Sequence, residues 1–138
     1  MWYYNGEMFD PLYEDLARWA GFVYLVTNTD TQQKYIGKKT FHRQTWLPAN
    51  KSRKRRKKVL RESDWRSYAG SSPEVLQLVE DHGVRLFDRK ILHLCESKGM
   101  MSYLEAKEQF DRDVLLDDTY YNAIIQCRIH RRHVISSK

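Results

Sequence analysis

The chain has only two cysteines, Cys95 and Cys127, in 138 residues. Two are too few for a disulfide framework, and their separation does not fit a zinc site. A reducing, cytoplasmic compartment is therefore expected. No apolar run approaches the length of a membrane-spanning helix, so no membrane partner is expected. No basic region followed by an apolar stretch opens the sequence, so no secretory leader is expected. Internal repeats are absent. Prolines number three: Pro11 and Pro73 sit where helices begin, and Pro48 blocks a long helix through its own segment. Acids are scarce in one region, where residues 34–67 contain only Glu62 and Asp64.

That same region is crowded with cations. It carries thirteen Lys/Arg against its two acids, a local net charge of +11, while the remainder carries eleven against sixteen, a net of −5. A concentrated cationic patch on an otherwise acidic chain suits a polyanion such as DNA or RNA. The densest stretch is Lys51-Ser52-Arg53-Lys54-Arg55-Arg56-Lys57-Lys58. Such a run repels itself and reads as a mobile loop or helix end until it meets phosphate. Its contribution to affinity is sequence-blind and steeply salt-dependent. A hydrophobic content of 41%, with nine Tyr and four Trp, indicates a folded chain of one modest-core domain.

The local pattern predicts a small α+β domain: a three-stranded antiparallel sheet flanked by helices, with a basic insertion after the first hairpin. An aromatic segment Met1–Gly6 precedes a helix over 11–20, with Asp10 as N-cap and Pro11 in the first turn. Strands follow at 22–27 and 34–36, joined by the polar turn 28–33. A helical stretch over 57–68 places Val59, Leu60 and Trp65 inward. Ser72-Pro73-Glu74 starts a helix over 73–82, with Val75, Leu76, Leu78 and Val79 inward and Gly83 as its stop. Residues 85–94 read as the third strand. Ser102-Tyr103-Leu104-Glu105 opens a last helix running to 113 or 116. The core spans 21–122, between an N-terminal segment 1–20 and a basic tail 123–138.

The hairpin carries a pair of tyrosines, Tyr24 and Tyr35. If Thr27 pairs with Lys34, Val26 faces Tyr35 and both phenols lie on one face. The hairpin taken alone favours two half-buried sheet tyrosines; beside a lysine cluster, two phenols also make a site for an anionic substrate. Glu105 has two readings as well. Ser102-x-x-Glu105 is a capping box, in which Glu105 reaches back to the helix start.

Taken in order, the motifs resemble the GIY-YIG nucleases. They are Phe22-Val23-Tyr24-x-Val26-Thr27-Asn28, Tyr35-Ile36-Gly37-Lys38-Lys39, Tyr68-x-Gly70-Ser71-Ser72, Phe87-x-Arg89-x-Ile91-Leu92, the helix with Glu105, and Tyr121-Asn122. With Tyr3-Tyr4-Asn5-Gly6 and Glu62-Ser63-Asp64-Trp65, the whole is similar to the small phage-encoded, Seg-like homing-type endonucleases of that family. One departure is that the family glycine stands two residues before its tyrosine, whereas Gly21 stands three before Tyr24.

The resemblance implies hydrolysis of DNA phosphodiesters with one divalent metal, Mg²⁺ or Mn²⁺, in the cytoplasm of the host cell. It implies Glu105 as metal ligand, with Glu108 one turn on as the alternative. Tyr24 would position or deprotonate water, although a phenol of pKa ~10 is a poor base at neutral pH. Tyr35 would hold the water or the phosphate. The family arginine after the second motif is matched by Arg43 or Lys39, with Arg61 and Arg66 also in range. His42 is a candidate for proton transfer and Asn122 for a place near the site. His93 reads as a strand residue. Lys38, Arg66 and the run Arg53, Lys54, Arg55, Arg56, Lys57 and Lys58 would grip the DNA backbone. A second copy or a phage or host protein would supply long-site recognition. The rival readings are a non-catalytic nucleic-acid-binding module on the same scaffold and an RNA-binding or interaction protein that uses the basic loop.

Overall fold

Aromatic and β-branched residues fill Gly21–Asn28, and most of them are buried. This strand, β3, is therefore covered on both faces. The computed structural model describes residues 1–135. The other strands are β1 (Trp2–Tyr4), β2 (Glu7–Phe9), β4 (Lys34–Thr40), β5 (His42–Leu47), β6 (Lys57–Glu62) and β7 (Phe87–Cys95); the helices are α1 (Pro73–His82) and α2 (Lys98–Asp111). The main sheet has five strands in the order β2-β1-β7-β3-β4, not the expected three. β1 runs parallel to β7, and the remaining pairs are antiparallel. The extra strands come from the N-terminal aromatic segment, which folds into a hairpin. Asn5 and Gly6, with φ of 52° and 83°, supply the left-handed turn that such a hairpin needs.

One face of the sheet packs Trp2, Phe22, Tyr24, Val26, Phe41, Trp65 and Ile91 into the larger core, with Val75 of α1. The other packs Val23, Ile36 and Cys95 against Met101 of α2 and against Val114. Among the described residues, no helix is long and apolar enough to cross a membrane.

Several sequence expectations are corrected. The helix over 11–20 is a single 3₁₀ turn at Tyr13–Leu16. Asp10 does not cap it, because its carboxylate accepts from Arg66 Nη1 at 2.8 Å. Residues 57–62 are strand β6, and only Trp65–Ser67 make a 3₁₀ turn. β5 and β6 form their own two-stranded ribbon. The basic run is thus the ribbon's tip and one of its arms, not a helix end. The strand expected at 85 starts at Phe87, after a 3₁₀ turn at Val84–Leu86.

α1 has its expected bounds, and Gly83 ends it with φ 81°. Its Leu76 points outward, 53% exposed. α2 begins at Lys98, four residues before Ser102. Ser97 is its N-cap, and its Oγ accepts from Met100 N at 3.1 Å. Glu105 therefore sits inside the helix and closes no capping box.

Candidate active site

The hairpin register places the two tyrosines. Thr27 pairs with Lys34, Val26 with Tyr35 and Tyr24 with Gly37. Side chains alternate along a strand, so Tyr24, Val26, Tyr35, Gly37 and Lys39 share one face. The Tyr24 and Tyr35 rings lie 6.3 Å apart. Tyr24 Oη rests over Gly37, where any Cβ would collide with it. Tyr35 Oη lies 3.0 Å from Ser71 Oγ.

Tyr24 is wholly buried, and among the described residues its hydroxyl has no hydrogen-bond partner of good geometry, Tyr68 being the largest contributor to its pKa after burial. Burial raises its pKa well above the ordinary phenol value, and the neighbouring Tyr68, Tyr35 and Glu105 push the same way. Burial also raises Tyr35, opposed by the Ser71 hydrogen bond. Both phenols stay neutral at physiological pH.

Tyr68, to which sequence reasoning gave no role, is a third ring at the site. It packs edge-on to Tyr24, with centroids 6.0 Å apart. Lys39 Nζ stands 4.2 Å from the Tyr68 ring centre and 2.6 Å from Asp64 Oδ1. The Lys39 hydrogen bond lowers the Asp64 pKa despite partial burial, with a smaller contribution from Arg43. The signal was present in Tyr68-x-Gly70-Ser71: Tyr68 borders Tyr24, Gly70 lies against the Tyr35 ring and Ser71 meets the Tyr35 hydroxyl.

Glu105 projects from α2 toward β4, its side chain 14% exposed. Lys38 Nζ lies 3.9 Å from its Oε1 and donates to Ser102 Oγ at 2.8 Å. Burial raises the Glu105 pKa, and Lys38 opposes the rise. Glu108 is engaged elsewhere, at 2.9 Å from both His93 Nε2 and Arg112 Nε. Among the described residues, no three His, Cys, Asp or Glu gather as a metal cage.

The other candidates have distinct places. Asn122 is buried, accepting from Ile36 N at 3.0 Å and donating to Ile36 O at 2.8 Å. Gln109 Nε2 donates to the same carbonyl at 3.1 Å. These amides hold the outer edge of the strand that carries Tyr35 and Gly37. His42 has both ring nitrogens engaged: Nε2 donates to Trp19 O at 3.0 Å, and Nδ1 accepts from Tyr13 Oη at 2.8 Å. Arg43 is exposed on the ribbon, opposite Arg61, with its Nε 3.4 Å from Glu62 O. Arg66 clamps Asp10 and Glu62, each at 2.8 Å. Lys54, Arg55, Arg56, Lys57 and Lys58 are exposed on the ribbon; Arg53, partly buried, donates to Pro48 O at 2.8 Å.

No match was found among curated proteins or among solved structures. A family model described as "Putative endonuclease segE, GIY-YIG domain" matches residues 2–125. That stretch runs from the first strand through Asn122, and the chain belongs to this GIY-YIG endonuclease family.

Proposed function

We propose that the protein is a Mg²⁺- or Mn²⁺-dependent endonuclease that hydrolyses phosphodiester bonds in DNA. The observation that carries the reading is the Tyr24 hydroxyl: buried, without a hydrogen-bond partner of good geometry among the described residues, and close enough to Tyr35 and Glu105 for both to influence its pKa. An unpaired buried hydroxyl costs stability, of the order of 1–3 kcal/mol. Such a cost is characteristic of a group kept ready for a ligand.

The donor set fits a hydrated divalent ion. Glu105 is a single, largely buried carboxylate with one amine nearby among the described residues, at 3.9 Å. Mg²⁺ commonly takes one or two carboxylates and keeps its waters. Glu105 would hold the ion, which supplies charge neutralisation and polarises the leaving oxygen. Tyr24 orients the attacking water through its phenol oxygen; being neutral, it does not take the water's proton by itself. Tyr35, steadied by Ser71, binds a phosphate oxygen. Lys39, whose Nζ lies over the Tyr68 ring that borders Tyr24, takes the part assigned to the family arginine. Arg43 and the ribbon cations hold the flanking backbone, with Lys38 at the Glu105 side. Asn122 and Gln109 position β4, while Glu108 and Arg66 brace the fold. The reading extends to a phage-encoded enzyme in the host cytoplasm, acting alone or with a second copy or protein partner.

A supercoiled-plasmid nicking assay tests it. Cleavage with Mg²⁺ should disappear in EDTA and in Glu105→Ala. Undiminished cutting by that variant, or tight binding without any cutting, would overturn the reading, the second in favour of a non-catalytic binding module.

A further inference from the structure

The β5–β6 ribbon stands apart from the main sheet. Its ladder has six residue pairs, from His42–Glu62 to Leu47–Lys57, which at the rise of a strand gives a length of about 20 Å. Its base is fixed: Ser63 Oγ donates to Thr40 O at 2.6 Å, and Trp65 Nε1 donates to Glu62 at 2.8 Å. Its two faces differ. Thr45, Leu47 and Val59 are partly buried on one. Gln44, Trp46, Lys58 and Leu60 share the other, where Gln44 pairs with Leu60 and Trp46 with Lys58. Trp46 is 53% exposed and Leu60 60% exposed. The Arg56 guanidinium lies 5.2 Å from the Trp46 ring centre. An apolar, amide-bearing face on a cationic arm has no partner within the described residues.

We propose that this ribbon enters the major groove of duplex DNA and lays the Gln44–Trp46–Lys58–Leu60 face on base edges. The choice of DNA rests on the endonuclease reading. Size and charge support the placement. A B-form major groove is about 12 Å wide and admits a two-stranded ribbon, whereas the minor groove, about 6 Å wide, takes one only at the cost of deforming the DNA. The deep, narrow major groove of A-form RNA also excludes it. At the tip, Lys54 and Arg55 reach the phosphates that line the groove. Gln44 offers an amide of the type that pairs with adenine, and Leu60 offers an apolar surface for thymine methyls.

Competition binding tests the assignment, using the full chain in EDTA and a fluorescein-labelled DNA duplex. Pre-saturation with methyl green, a dicationic major-groove ligand, should weaken binding by about tenfold or more, and netropsin, a dicationic minor-groove ligand, should change it by less than about twofold. The RNA duplex of the same sequence should bind about tenfold more weakly. The double variant Trp46→Ala/Leu60→Ser should bind more weakly and lose its sensitivity to methyl green. Competition by netropsin, indifference to both ligands, equal affinity for RNA, or no binding to any duplex would each overturn the proposal. The ligand comparison with the unaltered chain decides even if the variant misfolds. Mg²⁺-dependent cleavage of the same duplex separates the two readings. Cutting without methyl green sensitivity sinks the ribbon assignment alone; sensitivity without cutting sinks the endonuclease reading alone.

Discussion

Tyr24 lies with its phenol over Gly37, in the volume that a side chain on the neighbouring strand would fill. The glycine of the second motif is thereby explained by the tyrosine of the first. A Cβ at position 37 would stand 2.6 Å from Tyr24 Cζ and 2.9 Å from Tyr35 Cε2. Gly37→Ala should destabilise the fold by about 1–3 kcal/mol through overpacking, and it should displace both rings. Urea denaturation and near-ultraviolet circular dichroism check this. An unchanged midpoint with unchanged aromatic signal would disprove it.

Tyr24→Phe has the opposite effect on stability. It removes a buried hydroxyl that has no partner of good geometry among the described residues and should raise stability by about 1 kcal/mol. Cleavage should fall to background. A variant that is less stable than the parent would mean that the hydroxyl is bonded in the folded protein.

Glu105 and Glu108, one turn apart on α2, should respond to pH with opposite signs. Burial raises the Glu105 pKa. Its contribution to stability is therefore full below the unfolded pKa and lost as pH rises through the folded one. Glu105→Gln should be more stable than the parent at neutral pH and converge with it below about pH 4. For Glu108, burial acts upward, but hydrogen bonds from Arg112 and His93 outweigh it and lower the pKa. That contribution is present above the unfolded pKa and disappears as pH falls through the folded one, so Glu108→Gln should be the weaker protein at neutral pH. Urea midpoints from pH 3 to pH 8 resolve both curves, and parallel curves for the two variants would contradict the assignment.

Asn122→Ala should cost about 1–3 kcal/mol, because it leaves the buried Ile36 N–H without its acceptor. Ile36 O keeps its bond from Gln109 at 3.1 Å. At the thermal midpoint, each kcal/mol corresponds to a shift of a few degrees for a chain of this size. A midpoint within a degree of the parent would remove Asn122 from its positioning role.

The legible parts of the fold were those with local punctuation. The Thr27–Lys34 register and the Tyr24–Tyr35 face follow from two β-rich runs around one polar turn. α1 is bracketed by Pro73 and Gly83. The β1–β2 hairpin had a comparable signal in Asn5-Gly6 that the three-stranded reading passed over. The ribbon was hidden because Lys and Arg occupy so many of its positions that the alternation of Thr45, Leu47 and Val59 barely shows. Asp10 resembles a helix cap, and only the arrival of Arg66, 56 positions on, takes its carboxylate away. Ser102 and Glu105 look like a capping box until Ser97 starts the helix a turn earlier. At the site, the ambiguity among Lys39, Arg43 and Arg66 could not be resolved along the chain, because it depends on where Asp64, Tyr68 and Asp10 lie in space.

The amide pair between Asn122 and Ile36 also orders events in time. The two residues are 86 positions apart. A ribosome adding about 5–20 residues per second makes Asn122 some seconds after Ile36. Until then β4 has β3 on one side, and on its other edge Gln109 can hold Ile36 O but not Ile36 N–H. The strand bearing Tyr35 and Gly37 is therefore among the last parts of the fold to lock, and a nascent chain shorter than 122 residues lacks the finished site.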